Sequence, residues 1–303
     1  MRKDGGIMKT YTLPDHENHY GMIDYELGYD LKDEKFIPEM KTYLREEDGK
    51  PVPGHLMKNI YDLDNICQQY VVMEPTVTYP VKDGFVCHPG VEFVGVILEG
   101  YGVVSFPDGE SHEFRPGDCW YFKKGQPYRI ENNEQNLLKF FTAHTCPIGE
   151  IPYEYLPADC GVVIEDGHGI RNIDSCEKKL APGFTGHKAD PGHWTSLLFE
   201  GENICVLHPV QGPGCSSPMF DYVSHPNVHE LEFALEGNAM VIMPDKAYKL
   251  SPRIARYNPE LQPSKTFNYT DEDLKLLVWY STGKLANVGR IQNHAVEFEC
   301  RNL

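Results

Sequence analysis

The chain has nine cysteines but no CxxC pair, so neither a structural zinc knuckle nor a paired disulfide framework is expected. It has few basic residues. Against 45 acidic side chains stand 28 lysines and arginines, a net charge of −17. That balance argues against nucleic acid or an anionic membrane surface as a partner, since both need basic patches. No apolar run approaches the roughly 18 residues that span a bilayer, and the first 21 residues (MRKDGGIMKTYTLPDHENHYG) contain no apolar core of a secretory signal. The scattered thiols then read as reduced cysteines of a cytoplasmic protein. Also missing are a glycine-rich phosphate loop, GxSxG and HExxH, which removes the familiar nucleotide, serine-hydrolase and zincin readings. Without a base at known geometry, Cys87 and Cys215 are not expected to be nucleophiles.

What is present is a texture of short apolar runs. From about Tyr61, segments such as QQYVVME, VGVILEG, DCWYFKKG and LLKFFTAH alternate with Gly, Pro, Asn and Asp clusters every 8–12 residues. This spacing predicts an all-β sandwich or barrel. Residues 1–60 are polar and poorly periodic. They read as an N-terminal arm packed across a barrel or a neighbouring subunit, with short helical pieces expected around Glu34–Glu46, interrupted at Pro38.

The chain also repeats itself. HPNVHELEFALEG (225–237) aligns without a gap on HPGVEFVGVILEG (88–100), shifted by 137 residues. Further anchors are Asn65–Cys67 with Asn203–Cys205, Pro107 with Pro244, Tyr121 with Tyr257 and Gln126 with Gln262. Two copies of one β-domain follow: an arm at 1–60, a first domain at 61–146, a Pro/Gly/Asp-rich connector at 147–190, and a second domain at 191–303 whose tail, HAVEFEC, is expected to form a strand. The copies differ in chemistry, with Glu92 opposite His229 and Phe93 opposite Glu230.

These motifs resemble the cupin superfamily, and the duplication resembles a bicupin. The family's first motif is Gly, His-x-His, three or four residues, Glu, six residues, Gly; its second contains Pro-x-Gly, a histidine and an asparagine. The run Gly117 to Asn132 fits the second motif with Lys123 in place of the proline and Tyr128 in place of the histidine. Pro259 to Asn268 fits more loosely, with Leu261 and Ser264 in place of glycine and histidine. The resemblance implies two tandem jelly-roll barrels. It also implies that a standard three-histidine, one-glutamate metal site does not carry over, because neither copy keeps His-x-His or the second-motif histidine.

For the remaining chemistry, two arguments disagree by one residue. Strand side chains alternate faces. Along 229–235 the apolar face is His229, Leu231, Phe233 and Leu235, and it is expected to look into the barrel. In the first copy that face carries Glu92. Counting back seven from Gly237 instead puts Glu230 in the ligand slot. We take the periodicity, a one-residue bulge near a barrel rim being common. His225 and His229 are then expected to converge on a divalent transition metal (Mn, Fe, Ni or Zn). Gln262 would complete the shell, with Glu230 or Asp221 as alternatives. A second possible site is His88, Glu92 and Tyr128. The set His225, His229 and Gln262 is similar to that of the (S)-ureidoglycine aminohydrolases, though Val223 stands where that branch has a glutamate. His187, His193 and His208 read as core or surface histidines, with a pocket wall as the alternative. His112 and His144 are placed in strands.

The function expected from this is a metal-dependent enzyme of the hydrolase, isomerase or lyase type, acting on a small polar metabolite in the second barrel. The metal would act as a Lewis acid. The rivals are an Fe(II) dioxygenase and a non-catalytic binding or scaffold bicupin. Homo-oligomers through a barrel or the arm are expected; nucleic-acid and membrane partners are not.

Overall fold

A computed structural model describes residues 20–44, 50–180, 192–218, 222–243 and 246–293. Asp221, His187 and the expected terminal strand at 294–300 lie outside these residues. Among the described residues the only helical turns are three short 3-10 turns, at Ile148–Glu150, Ile173–Ser175 and Leu285–Asn287. The helical pieces expected around Glu34–Glu46 do not form over the described residues 34–44. Lys35–Phe36 and Lys41–Leu44 are strands there, because each finds a neighbouring strand to pair with, which a short polar helix would not.

The molecule is two jelly rolls set back to back. In the first, a seven-stranded sheet runs in the order His168–Asn172, Asp118–Phe122, Phe93–Glu99, Leu138–His144, Cys67–Met73, Pro51–Asp62, Lys41–Leu44. A four-stranded sheet closes the barrel: Ser111–Phe114, Gly102–Ser105, Arg129–Glu131, Thr78–Tyr79. The second barrel repeats this plan. Its large sheet contains His193–Glu200, Cys205–Gln211, Leu274–Tyr280, Glu230–Glu236 and Ile254–Asn258 in that order. The N-terminal strand Gly21–Asp24 then pairs antiparallel with Ile254–Asn258. The same place beside Asp118–Phe122 in the first barrel is taken by connector strand His168–Asn172. The chain thus closes its second barrel with residues from its beginning.

The twin motif ends in a glycine for a physical reason. Gly100 and Gly237 have φ of 85° and 81°, and a Cβ on either would collide with a backbone carbonyl, of Leu137 or of Asp273. Each turn feeds a hairpin, and each preceding strand bulges at the same place: Leu98 is the extra residue opposite the Lys139–Phe140 step, and Leu235 the extra residue opposite the Lys275–Leu276 step. The second-motif asparagines brace both copies alike. Asn132 Nδ2 donates to the carbonyls of Met73, Glu74 and Asn136, and Asn268 Nδ2 to those of Gln211, Gly212 and Glu272.

The largest apolar cluster lies between the barrels, not inside one. Val94, Val96, Tyr121 and Phe141 of the first large sheet pack against Leu231, Phe233, Tyr257, Leu277 and Trp279 of the second. This corrects the face assignment made from periodicity. The apolar side of Glu230–Glu236 is the side that meets the other barrel. A strand in such a tandem carries apolar residues outward, and its inward side is free to be polar.

Candidate functional site

Turning the strand over changes which residues share a cavity. On the two paired strands of the second barrel, Glu230 lies opposite Asn258 and Glu232 opposite Arg256; Glu230, Glu232 and Arg256 face inward, and Asn258 bonds to Glu230. The corresponding inward positions of the first barrel are Phe93, Gly95 and Trp120. Gly95 is paired with Trp120. The Trp120 indole fills the space over Gly95, so that a Cβ there would collide with the ring, and it packs on Phe93, Phe114 and Phe140. Three equivalent positions therefore hold Phe/Gly/Trp in one barrel and Glu/Glu/Arg in the other. G95A is expected to lower stability by about 1–3 kcal/mol through overpacking, read from the midpoint of urea unfolding.

In the second barrel the Arg256 guanidinium is 2% exposed and shared between two carboxylates. Nη2 lies 3.3 Å from Glu230 Oε2 and Nη1 3.2 Å from Glu232 Oε1. Nη2 also donates to Ser264 Oγ at 2.7 Å and Nη1 to Thr266 Oγ1 at 3.4 Å. Glu230 accepts further bonds from Asn258 Nδ2 (3.2 Å) and Tyr280 OH (2.9 Å). One cation cannot fully compensate two buried anions. Burial pushes the Glu230 carboxyl up, but Arg256, His225 and the donors from Tyr280 and Asn258 outweigh it and hold it below the usual range. Burial dominates at Glu232, Arg256 pulls back only in part, Glu230 adds repulsion, and its carboxyl is pushed up to about 7.

These groups line a cavity of about 260 Å³ together with His225, His193, Gln211 and Arg290. His225 Nδ1 lies 2.8 Å from the Gly289 carbonyl. A carbonyl only accepts, so Nδ1 carries the proton, and Nε2 faces Glu230 Oε1 at 4.0 Å. Unspent polar atoms remain around the cavity. Both ring nitrogens of His193, Gln211 Oε1 and Asn258 Oδ1 have no hydrogen-bond partner among the described residues. His193, expected as a core or surface residue, is a wall of this site.

The expected convergence of His225 and His229 is not built. His229 is on the opposite face, half-buried, with Nδ1 3.0 Å from Tyr257 OH and beside the interdomain cluster. Gln262 does not line the cavity; its Nε2 turns back to the carbonyl of Pro263. Of Val223, His225, Glu230 and Ser264, which the cavity brings together, only His225 and Glu230 bear strong donors. The Arg256 guanidinium already contacts the carboxylate and the serine hydroxyl. The guanidinium is a fixed organic cation among those positions, and among the described residues no three His, Cys, Asp or Glu donor atoms of this cavity lie within 4.8 Å of one another, so the residues present do not fit a central metal ion.

The first barrel is different again. Its cavity of about 290 Å³ is lined by Met57, Val71, Met73, Phe93, Ile130, Phe140 and others, with three histidines among them, His55, His88 and His144. His88 Nδ1 is 2.7 Å from the Pro152 carbonyl, and Tyr128 OH donates to Nε2 at 2.9 Å. Burial lowers His55 to about 3 and His88 to about 4, and takes His144 well below its ordinary value. All three are neutral imidazoles at pH 7. Glu92, expected beside His88, belongs instead to the barrel–barrel contact. It accepts from Tyr121 OH (2.5 Å) and from the backbone N–H groups of Glu202 (2.8 Å) and Asn203 (2.6 Å). His88 and Tyr128 do meet, but Phe93 stacks on Tyr128 in the glutamate slot.

Among the described residues, one group of three metal-capable side chains comes together, and it lies outside both barrels: Glu110, His112 and His168.

Residues 76–144 match the family model of the cupin domain; the match lies in the first barrel. Among curated proteins no relative matches the sequence. Solved structures do. A putative glyoxylate-induced protein from Pseudomonas aeruginosa superposes with a TM-score of 0.59 at 16% identity, covering 82% of this chain and 94% of that one. Oxalate decarboxylase from Bacillus subtilis, in its structure at pH 4.6, gives a TM-score of 0.53 at 15% identity, over 85% of this chain and 79% of that one. A further structure of that enzyme, described for its Mn(II) centres, gives 0.53 at 13%, over 84% and 77%. At these identities the likeness is one of fold: two tandem cupin jelly-roll domains. No helix among the described residues is long and apolar enough to cross a membrane.

Proposed function

We propose that the second barrel binds a small polar metabolite in the Glu230–Arg256–Glu232 cavity and moves a proton on it, in a reaction of isomerase or lyase type. The single observation that carries this reading is Glu232. It is a buried carboxyl at about 7 on the wall of a cavity that mixes polar and apolar side chains, where a general acid–base group works best near the operating pH. Arg290, on the cavity wall, supplies positive charge for a carboxylate or another anionic oxygen. His193 and Gln211 offer unspent bonding capacity to fix its orientation. Arg256 first, then His225, Tyr280 and Asn258, hold Glu230 ionised, and the ionised carboxylate in turn fixes the guanidinium. The first barrel, with aromatic side chains in the equivalent positions, is the supporting domain in this reading. A site organised around a resident cation of the protein's own departs from the metal-dependent enzyme and Fe(II) dioxygenase expected from the sequence. It also differs from a non-catalytic scaffold, which needs no carboxyl held near neutrality.

The test is a thermal-shift panel of small hydroxy acids, keto acids, amino acids and sugars. A ligand present at 100 times its Kd stabilises the fold by about 2.7 kcal/mol. Hits should raise the midpoint of the wild type and leave unmoved the variant E230F/E232G/R256W, which carries the first barrel's residues. E232Q should bind the same hit and lose turnover at least ~100-fold. A hit that shifts wild type and triple variant equally binds elsewhere and contradicts the reading.

A further inference from the structure

Glu110 and His112 stand two residues apart on the hairpin that begins strand Ser111–Phe114, so their side chains share a face. His168 begins the connector strand His168–Asn172 and is paired through its backbone with Phe122. Residues 58 positions apart are thereby brought together: His168 Nε2 lies 3.2 Å from Glu110 Oε2. One donor atom from each of the three side chains falls within 4.8 Å of the other two. The His168 ring does not turn freely. It lies flat on Phe106, 3.6 Å between centroids and 10° between planes, with His112 edge-on at 6.0 Å.

We infer that Glu110, His112 and His168 form a surface binding site for a zinc-class divalent ion that pins the connector to the first barrel. Two imidazoles and one carboxylate are the ligand chemistry of such ions. Ligand distances of about 2.1 Å around a tetrahedral ion put donor atoms about 3.4 Å apart. The observed spread closes to that by rotating two exposed side chains, Glu110 and His112, about a third that is already locked. An ion reaches the site from an open groove of about 840 Å³ between the hairpin and the connector, which His112 also lines. Solvent takes the fourth position. The site lies apart from the triad of the second barrel and does not depend on the function proposed for it. Its consequence is mechanical. The strand it would hold is the one that closes the first barrel's large sheet and leads into the second barrel.

Zinc titration of the full chain by calorimetry, after removal of metal with a chelator, tests this. The wild type should bind one zinc ion, and zinc should raise its thermal midpoint. In H112A, in H168Q and in E110Q, affinity should fall at least ~10-fold and the thermal shift should shrink, while the metal-free midpoint of E110Q stays near that of the wild type. A wild-type Kd weaker than about 1 mM, or the same zinc stoichiometry and shift in an H112A/H168Q double variant, overturns the inference.

Discussion

Replacing Arg256 with methionine is expected to destabilise the protein by about 3–5 kcal/mol, the loss seen when one partner of a buried ion pair is removed. Among the described residues, the guanidinium is the only positive group bonded to both Glu230 and Glu232. Without it two buried carboxylates face each other across one cavity, and both must take up protons to remain there. The sign with pH follows. In R256M both carboxyls rise above their unfolded values, so stability is present at low pH and is lost as pH climbs through them. The deficit should therefore be larger at pH 8 than at pH 5. E230F/E232G/R256W should recover most of the loss, since a buried ion triad and a well-packed apolar set of similar volume are often close in stability. Urea unfolding at both pH values measures all of this. An R256M variant within about 1 kcal/mol of wild type would mean that the two acids are solvated and that no triad exists.

The second large effect is acid lability. Burial depresses His55 to about 3 and both His88 and His193 to about 4. A base whose folded value is lowered contributes stability that is complete above the unfolded value, near 6.5, and is lost as pH falls toward the folded one. Each such imidazole is worth up to about 1.4 kcal/mol per pH unit in that window. Glu232 works the other way, because its raised value, about 7, favours the folded state on the acid side. These imidazoles, together with His144, which burial also holds well below its ordinary value, outweigh one carboxyl. Stability should fall by on the order of 4 kcal/mol between pH 7 and pH 5. H88Q should flatten the slope between pH 6.5 and 4 by about one proton. A protein more stable at pH 5 than at pH 7 would contradict the buried, neutral state of these rings.

Much of the architecture was legible because the duplication placed the same demands at equal spacing. Gly100 and Gly237 both end a strand at positive φ, and Asn132 and Asn268 both tie the same three carbonyl positions. The site was less legible, for a reason specific to tandem barrels. Periodicity found the two faces of Glu230–Glu236 correctly but gave the apolar one to the interior, when Leu231 and Phe233 are buried against the other barrel. Counting back from Gly237 kept Glu230 in the cavity, and there the structure agrees. Arg256 and Glu232 were missed because each looks unremarkable alone. The available signal was the comparison of twins, in which Trp120 stands opposite Arg256 and Gly95 opposite Glu232. His168 had no local signal at all. Its neighbours in space are Phe106, Glu110 and His112, and only the pairing of the connector with Asp118–Phe122 brings them near.

In the proposed site an arginine, not a metal ion, organises the second barrel. The most direct measurement is the transition-metal content of the H112A/H168Q variant, purified without an affinity tag and compared with the same variant carrying H225A. Substoichiometric metal is expected in both, with no change between them. About one tightly held ion per chain, lost with His225, would contradict it.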